Sequence, residues 1–355
     1  MRILKKEFDI YVIVPTICLC LWGLFHLYTI SLEDSYYYFE RQAIWLCFGI
    51  FFLFLFSFFP KEVWSRLSYL VYTATVFFLV LVIVKGSAIY GAKRWLDIGF
   101  FNFQPSELAK LSLILALSKI LSGKERIGWK NILLSFILAS LFFFLIAVQP
   151  DLGTALIVFS LWLILLFLSG ISLKSFFVLI GTILASLPIF YLFLRPYQKL
   201  RILTYLNLHK DPLGAGWSSL QSKIAIGSGR IFGKGIGGAA HTKLKYLPQP
   251  LTDFIFSSIG EEWGFIGVSL LIVAYVMIIL RGLSFALREG KSFSGLFAAG
   301  FVTLIAVQAF INMGMASGII PVTGVPLPFV SYGGSSLLVF LSGTGILLSL
   351  SREEL

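Results

Sequence analysis

Three separated places in the chain bring charged side chains close to proline and glycine, and such groups could transfer protons or bind anions. A fourth place is rich in proline, glycine and serine without charges. The first place contains Arg94, Gln104, Glu107 and Lys110. Glu107 and Lys110 are three residues apart and could pair on one face of a helix. A charge inside a membrane span costs about 2.5–3.5 kcal/mol on insertion scales. These two charges therefore form either a structural ion pair or part of a functional cavity.

The second and third places each contain an acid that precedes an apolar run, Asp151 and Asp253. An acid in that position is a good helix N-cap. An N-cap at the membrane boundary could also face a cavity. Asp253 follows a basic segment that includes Lys243, and a carboxylate between apolar groups and cations can have its basicity tuned. Glu261 and Glu262 come two turns later, and we expect at least one of them to face the protein interior.

The fourth place is the segment 321–336, which contains Ser331. Three prolines and three glycines in 16 residues exclude a regular helix. Irregular backbone at membrane depth is tolerated only where it is buried in protein or lines a wet cavity. We therefore predict a re-entrant loop that forms the floor of a site.

Several other patterns do not have the spacing that their chemistry requires. The glycine-rich stretch 227–235 lacks the P-loop spacing and is interpreted as flexible backbone. The histidines have no metal-ligand spacing, and we expect His26 to be a satisfied polar group within the bundle. The cysteines lie inside apolar runs and indicate neither a disulfide nor a metal site; they are Cys18, Cys20 and Cys47.

Membrane helices are the elements that would position these residues. Hydrophobic residues form 58% of the chain and charged residues 13%, against roughly 45–50% and about 25% in soluble domains. We predict an all-α, polytopic membrane protein of about ten transmembrane helices, with 1–355 as a single membrane domain. The predicted spans are 10–30, 41–59, 66–85, 105–121, 131–148, 152–169, 173–194, 254–280, 294–316 and 334–350.

Basic residues predict the orientation, because cytoplasmic loops are enriched in Lys and Arg. With the N-terminus inside, cytoplasmic segments hold 14 of the 28 basic residues and short outer segments hold five. Both termini are therefore predicted to be cytoplasmic. The connection 195–252, between the seventh and eighth helices, becomes one large extracytoplasmic loop with nine basic residues and one acid. It either touches anionic headgroups as a solvated loop or binds an anionic ligand.

Five motifs in order resemble the SEDS family of bacterial shape, elongation, division and sporulation proteins, from the first span to the last. They are Gly91-Ala92-Lys93-Arg94-Trp95, Gln104-Pro105-Ser106-Glu107-Leu108-Ala109-Lys110, Gln149-Pro150-Asp151-Leu152-Gly153-Thr154, Thr252-Asp253-Phe254-Ile255-Phe256 and Ser331-Tyr332-Gly333-Gly334-Ser335-Ser336. Segments 197–203, 211–217 and 221–229 look most like the elongation branch, whereas 243–248 is closer to the division branch.

The resemblance implies a peptidoglycan glycosyltransferase that polymerises lipid II at the outer face of the bacterial cytoplasmic membrane. It also implies a class B penicillin-binding protein and other elongasome membrane proteins as partners, and no nucleic acid. Asp253 would be the general base. A divalent cation, Mg²⁺ or Mn²⁺, could neutralise the leaving pyrophosphate. The residues expected to bind substrate or shape the site are Glu107, Lys110, Asp151, Arg94, Gln104, Lys243 and Ser331.

Three residues depart from the family pattern. The family usually has Glu where this chain has Gln249, often His or another polar residue where it has Leu251, and Gly where it has Arg230.

Two other classes of function could use the charged residues and the irregular segment described above. A lipid II flippase or transporter would use the charges as a pathway, and a scaffold would only assemble partners. The predicted clustering of the charges at one membrane face favours polymerisation.

Overall fold

The computed structural model describes residues 9–31, 36–89, 92–97, 99, 101–124, 127–194, 196–206, 216–244 and 246–352. Gly91, residues 207–215 and Lys245, which belong to the motifs and segments quoted above, lie outside the described residues. The described helices are α1 (Ile10–Ser31), α2 (Tyr37–Ser57), α3 (Lys61–Lys85), α4 (Pro105–Leu121), α5 (Trp129–Val148), α6 (Leu152–Leu168), α7 (Leu173–Phe193), α8 (Pro196–Leu206), α9 (Trp217–Ser228), α10 (Ala240–Lys243), α11 (Ile255–Glu289), α12 (Phe293–Ser317) and α13 (Gly334–Arg352).

Each of the ten predicted spans corresponds to one of these helices, α1 to α7 and α11 to α13. Eight of the described helices are long and apolar enough to cross a membrane. The helix α6 is a shorter apolar helix of 17 residues. The all-α, multi-pass membrane fold is therefore confirmed.

The fourth predicted span, α4, carries the charges Glu107, Lys110 and Lys119, and it is enclosed by other helices. It packs against α3, α5, α6, α12 and α13. Every residue of α4 except Leu108 and Lys119 is buried. A helix of 17 residues is about 26 Å long, which is shorter than a membrane core of about 30 Å. Because protein rather than lipid surrounds α4, its buried charges can be satisfied by neighbouring side chains.

The connection 195–252 is folded where it is described, since it contains α8, α9 and α10. Its extracytoplasmic position stays a prediction. Three short strands between α3 and α4 were not predicted. They are β1 (Ser87–Ile89), β2 (Ala92–Asp97) and β3 (Asn102–Phe103), and they form an antiparallel sheet with β2 in the centre.

The long helix α11 is interrupted at Gly264, whose φ of 66° and ψ of −162° leave helical geometry. The loop 229–237 fills this interruption and supplies hydrogen bonds to its backbone. The Lys234 N–H donates to the carbonyl of Glu261 at 3.0 Å. The loop is thus hydrogen-bonded to α11 on both sides of the break, and the interpretation of 227–235 as flexible backbone stays a prediction.

Two of the departures from the family pattern occur at unusual backbone angles. Arg230 has a φ of 51° and Gln249 a φ of 47°. The left-handed region favours glycine, which explains why a glycine is the usual residue at the position of Arg230. The Arg230 carbonyl still accepts a hydrogen bond of 2.9 Å from the N–H of Phe265, beyond the break in α11.

Substitution of Gly264 tests the interruption of α11. A Cβ at Gly264 would lie 2.3 Å from the Gly233 nitrogen and 2.6 Å from the Ile231 oxygen, and its backbone angles are almost confined to glycine. Gly264→Ala should destabilise the protein by about 1–3 kcal/mol from backbone strain alone, with a lower thermal midpoint in detergent. Gly181→Ala is the control, because nothing lies within 4 Å of a Cβ there. Equal midpoints for both variants would contradict the account.

Candidate active site

Arg94 in β2 holds the start of α6 through three contacts. Its Nε donates to the Gln149 carbonyl at 3.1 Å, and its Nη2 donates to the Pro150 carbonyl. Its Nη1 lies 3.8 Å from Asp151 Oδ1. The same Asp151 oxygen accepts from the Thr154 N–H at 3.3 Å, so the predicted N-cap of α6 is present. The unpredicted sheet thus positions the Arg94 guanidinium beside a buried carboxylate.

Glu107 and Lys110 form the ion pair that their spacing predicts, with 2.8 Å between Oε1 and Nζ. Lys110 Nζ also donates to Gln308 Oε1 on α12 at 2.7 Å. The amide nitrogen of Gln308 in turn donates to the Pro326 carbonyl at 2.9 Å. Lys110 is completely buried. The ion pair therefore connects α4 to α12 and, through Gln308, to the segment 321–336, which is called the Pro/Gly segment below.

The Pro/Gly segment has no regular secondary structure from 321 to 327, as predicted, and it continues through turns to α13. Its residues are anchored to neighbouring elements. Ser331 Oγ accepts from the Leu327 N–H at 2.8 Å and donates to the Thr252 carbonyl at 2.7 Å. The Gln104 N–H donates to Ser335 Oγ at 3.0 Å. Ser331 thus helps to hold the irregular backbone, and Gln104 contacts the first turn of α13 after it.

Asp253 is not the N-cap of α11, so that prediction is wrong. The helix begins at Ile255, its N-cap is Phe254, and the cap makes no side-chain hydrogen bond. The turn at 251–254 delays the helix, which leaves the Asp253 carboxylate available. Its Oδ2 would lie 3.4 Å from a Cβ added at Gly324, whose φ is 76°. The carboxylate therefore faces the Pro/Gly segment at a position without a side chain.

The Asp253 side chain is only partly exposed, and burial raises the pKa of its carboxyl from the ordinary 3.8 to about 6. Hydrogen bonding from Thr252 and the positive charges of Arg201 and Arg94 lower this pKa, whereas the negative charge of Asp151 raises it. Three charged side chains from β2, the start of α6 and α8 thus act on one carboxyl group. A carboxyl with a pKa near 6 is ionised at neutral pH and can accept a proton.

The helix α8, in the basic connection 195–252, contacts the backbone of the Pro/Gly segment and of Ile319 just before it. Arg201 Nη1 donates to the Val322 carbonyl at 3.2 Å, and the Tyr205 hydroxyl donates to the Ile319 carbonyl at 2.5 Å. The sequence indicated Arg201 only as one of many basic residues in a loop. Lys243 lies in α10, and its approach to Asp253 stays a prediction.

Glu261 and Glu262 are both buried, which confirms that at least one faces the interior. Glu261 Oε1 lies 2.6 Å from Lys234 Nζ and 3.0 Å from His241 Nδ1. Glu262 Oε2 lies 2.5 Å from His26 Nδ1. His26 is thus a partnered polar group of the bundle, as predicted. Glu261 therefore links the connection 195–252 to α11 near its interruption at Gly264, and Glu262 links α1 to the same part of α11.

Two residues that contact the site were missed in the sequence, Gln308 and Asn312 on α12. Both are completely buried. Asn312 Nδ2 donates to the carbonyls of Asp253 and Val325. The available signal was a pair of amides four residues apart, hence on one face, in an otherwise apolar helix.

Comparisons with known proteins show what the chain as a whole is similar to. A family model described as "Cell cycle protein", which groups FtsW, RodA and SpoVE, matches residues 10–355. Peptidoglycan glycosyltransferase MrdB of Escherichia coli (strain K12) is 38% identical over 317 residues, which cover 89% of this chain and 86% of the relative.

Solved structures show the same likeness. A chain from "Structural coordination of polymerization and crosslinking by a peptidoglycan synthase complex" has a TM-score of 0.83 at 32% identity and covers 98% of both chains. The rod shape determining protein RodA of Thermus thermophilus has a TM-score of 0.74 at 30% identity, with 100% of this chain and 99% of that chain covered.

Breaking the buried ion pair should be more harmful than removing it. Lys110→Met leaves the Glu107 carboxylate buried without its cation, at a cost of about 3–5 kcal/mol. The double variant Glu107→Gln/Lys110→Met leaves no charge and should recover part of this loss. Thermal midpoints of the purified proteins in detergent measure both effects. Lys130→Met, at an exposed position, is the control, and a double variant less stable than Lys110→Met would contradict the account.

Proposed function

Because the chain belongs to the family of FtsW, RodA and SpoVE proteins, we propose that it is a peptidoglycan glycosyltransferase that polymerises lipid II. The observation that carries this proposal is the Asp253 carboxyl. It faces Gly324 in the electrostatic field of Arg94, Asp151 and Arg201. A base next to cations suits a reaction in which a hydroxyl attacks a sugar that carries a pyrophosphate.

The reaction requires one base and a means to neutralise the leaving group. The 4-hydroxyl of the acceptor attacks the anomeric carbon of the donor, a new carbon–oxygen bond forms, and Asp253 takes the hydroxyl proton. The bond to the pyrophosphate breaks and its electron pair leaves with undecaprenyl pyrophosphate. A positioned base contributes roughly 10²–10⁴-fold in rate. Arg94 and Arg201 are suitable groups for the charge on the pyrophosphate.

A divalent cation, Mg²⁺ or Mn²⁺, would depend on the phosphates of the substrate as well as on the described side chains. The described residues contain no group of three or more His, Cys, Asp or Glu that could hold a metal ion. A divalent cation stays a proposal, because Mg²⁺ can bind through one or two carboxylates together with substrate phosphates. The step above assigns the charge neutralisation to the arginines.

The location and partners follow from the proposed reaction. Lipid II polymerisation would take place at the outer face of the cytoplasmic membrane, with both termini inside. One structure with the same fold bears a name that joins polymerisation and crosslinking in a peptidoglycan synthase complex, which supports a class B penicillin-binding protein as partner. The likeness to RodA supports other elongasome membrane proteins as further partners, and the division role of FtsW is the alternative.

Removal of the base tests the proposal. Asp253→Asn should stop lipid II polymerisation by the protein purified with its transpeptidase partner, because an amide cannot accept the proton. Gel analysis of labelled glycan strands measures the product. Asp97→Asn is the control, because Asp97 is exposed and accepts only from the nearby Gly99 N–H among its described contacts.

Polymer formation by Asp253→Asn at the rate of Asp97→Asn would contradict the assignment. Transfer of labelled lipid II across liposomes by wild-type protein without polymer would instead indicate a flippase.

The pH dependence of the rate tests the protonation state of the base. Burial raises the pKa of Asp253 to about 6, and only the ionised carboxylate accepts a proton. The initial rate should therefore be at its plateau above this pH, fall to half near it and decrease tenfold per unit below it. Initial rates across the acidic to neutral range, with folding checked at each pH, measure the profile. A rate that stays constant to about two units below the midpoint would contradict it.

A further inference from the structure

Two buried amides on α12 supply hydrogen bonds to the irregular backbone of the Pro/Gly segment. Gln308 and Asn312 lie four residues apart and therefore on the same helix face. Their amide nitrogens donate to the adjacent carbonyls of Pro326 and Val325, at 2.9 and 2.8 Å. Such carbonyls have no partner within their own segment when it is neither helix nor strand, and a buried unpaired carbonyl is costly.

Asn312 makes a second contact that Gln308 does not make. Its Nδ2 also donates to the backbone carbonyl of Asp253 at 2.9 Å. The two carbonyls can only accept, so the nitrogen rather than the oxygen of the amide must face them. Both hydrogens of the amide are therefore used, one on the turn before α11 and one on the Pro/Gly segment.

Asn312 completes a set of three hydrogen bonds to consecutive backbone carbonyls in the turn before α11. The carbonyls of Leu251 and Thr252 accept from the Tyr332 N–H at 2.9 Å and from Ser331 Oγ at 2.7 Å. Asn312 supplies the donor for the third carbonyl, that of Asp253. It also holds Val325, the residue after Gly324, and Gly324 is where the Asp253 carboxylate meets the segment.

We propose that Asn312 is a positioning residue that holds Asp253 and the Pro/Gly segment at a fixed separation for the glycosyl transfer. It acts through the backbone on both sides of the carboxylate and does not itself contact the reacting atoms. The inference rests on the proposed function, because positioning matters only if Asp253 takes a proton.

Asn312→Leu tests the role, because leucine is close to asparagine in size and cannot donate. A displaced base should lower kcat by about tenfold or more and change KM less than about twofold, since substrate binding is not altered. The freed carboxylate should also gain water, which lowers its pKa. The acidic limb of the pH–rate profile should therefore move to lower pH, by about one unit.

Two further proteins complete the experiment. Asn312→Asp keeps the shape but cannot donate to both carbonyls, so its kcat should fall as well, and it decides the test if Asn312→Leu does not fold. Thr344→Val removes a buried hydrogen bond on α13, where the hydroxyl donates to the Phe340 carbonyl of its own helix. It should keep both the kcat and the pH profile of the wild type.

The measurements are the kcat, KM and pH profile of lipid II polymerisation by the complex with its partner, on fractions that are folded by size-exclusion chromatography. A wild-type kcat in the Asn312 variants would overturn the inference, and so would a lower kcat with an unmoved acidic limb in Asn312→Leu, which indicates a structural role only. A wild-type protein that forms no polymer would contradict the proposed function itself, and the inference with it.

Discussion

The backbone of the segment 321–333 must find hydrogen-bond partners inside a helical bundle, and much of the site depends on how it does so. Irregular backbone is tolerated within membrane proteins only where protein or water satisfies it. Here α12 supplies two amides, α8 supplies Arg201, and the turn before α11 pairs with Ser331 and Tyr332. One of these partners, Asn312, also holds the backbone of Asp253, and Arg201 acts on the Asp253 carboxyl by its charge.

The same constraint explains the charges in α4. Lys110 can be buried because Glu107 and Gln308 accept its hydrogens. The Gln308 side chain is held towards Lys110 because its amide nitrogen donates to the Pro326 carbonyl of the segment. The ion pair and Asp253 are therefore linked through one face of α12. A change in the Pro/Gly segment should therefore affect both the ion pair and Asp253.

Much of the fold could be predicted from the sequence, because hydropathy and helical spacing are local signals. The ten spans appear as continuous apolar stretches. The pairing of Glu107 with Lys110 and the cap at Asp151 each depend on residues three positions apart. The N-cap at Asp253 was predicted by the same rule and was wrong. There the tertiary contacts of residues 251–253 hold the turn open, and the helix begins at Ile255.

Other features required contacts that no local pattern contains. The sheet that positions Arg94 forms from residues that show no strand pattern in the sequence. The packing of loop 229–237 against Gly264 joins residues that are distant in the sequence. Gln308 and Asn312 were visible as polar residues in an apolar helix, but their partners lie in segments whose approach only the fold decides.

In the proposed mechanism, the Asp253 carboxylate is positioned to accept a proton because the Pro/Gly segment packs against it. The most direct test is the initial rate of lipid II polymerisation by Gly324→Ala protein, compared with Gly181→Ala at equal folded amounts. Gly324 has a φ of 76° and its added Cβ would lie 3.4 Å from Asp253 Oδ2, so alanine should displace the segment and lower the rate at least about tenfold. A rate for Gly324→Ala equal to that of the Gly181→Ala protein would contradict the claim.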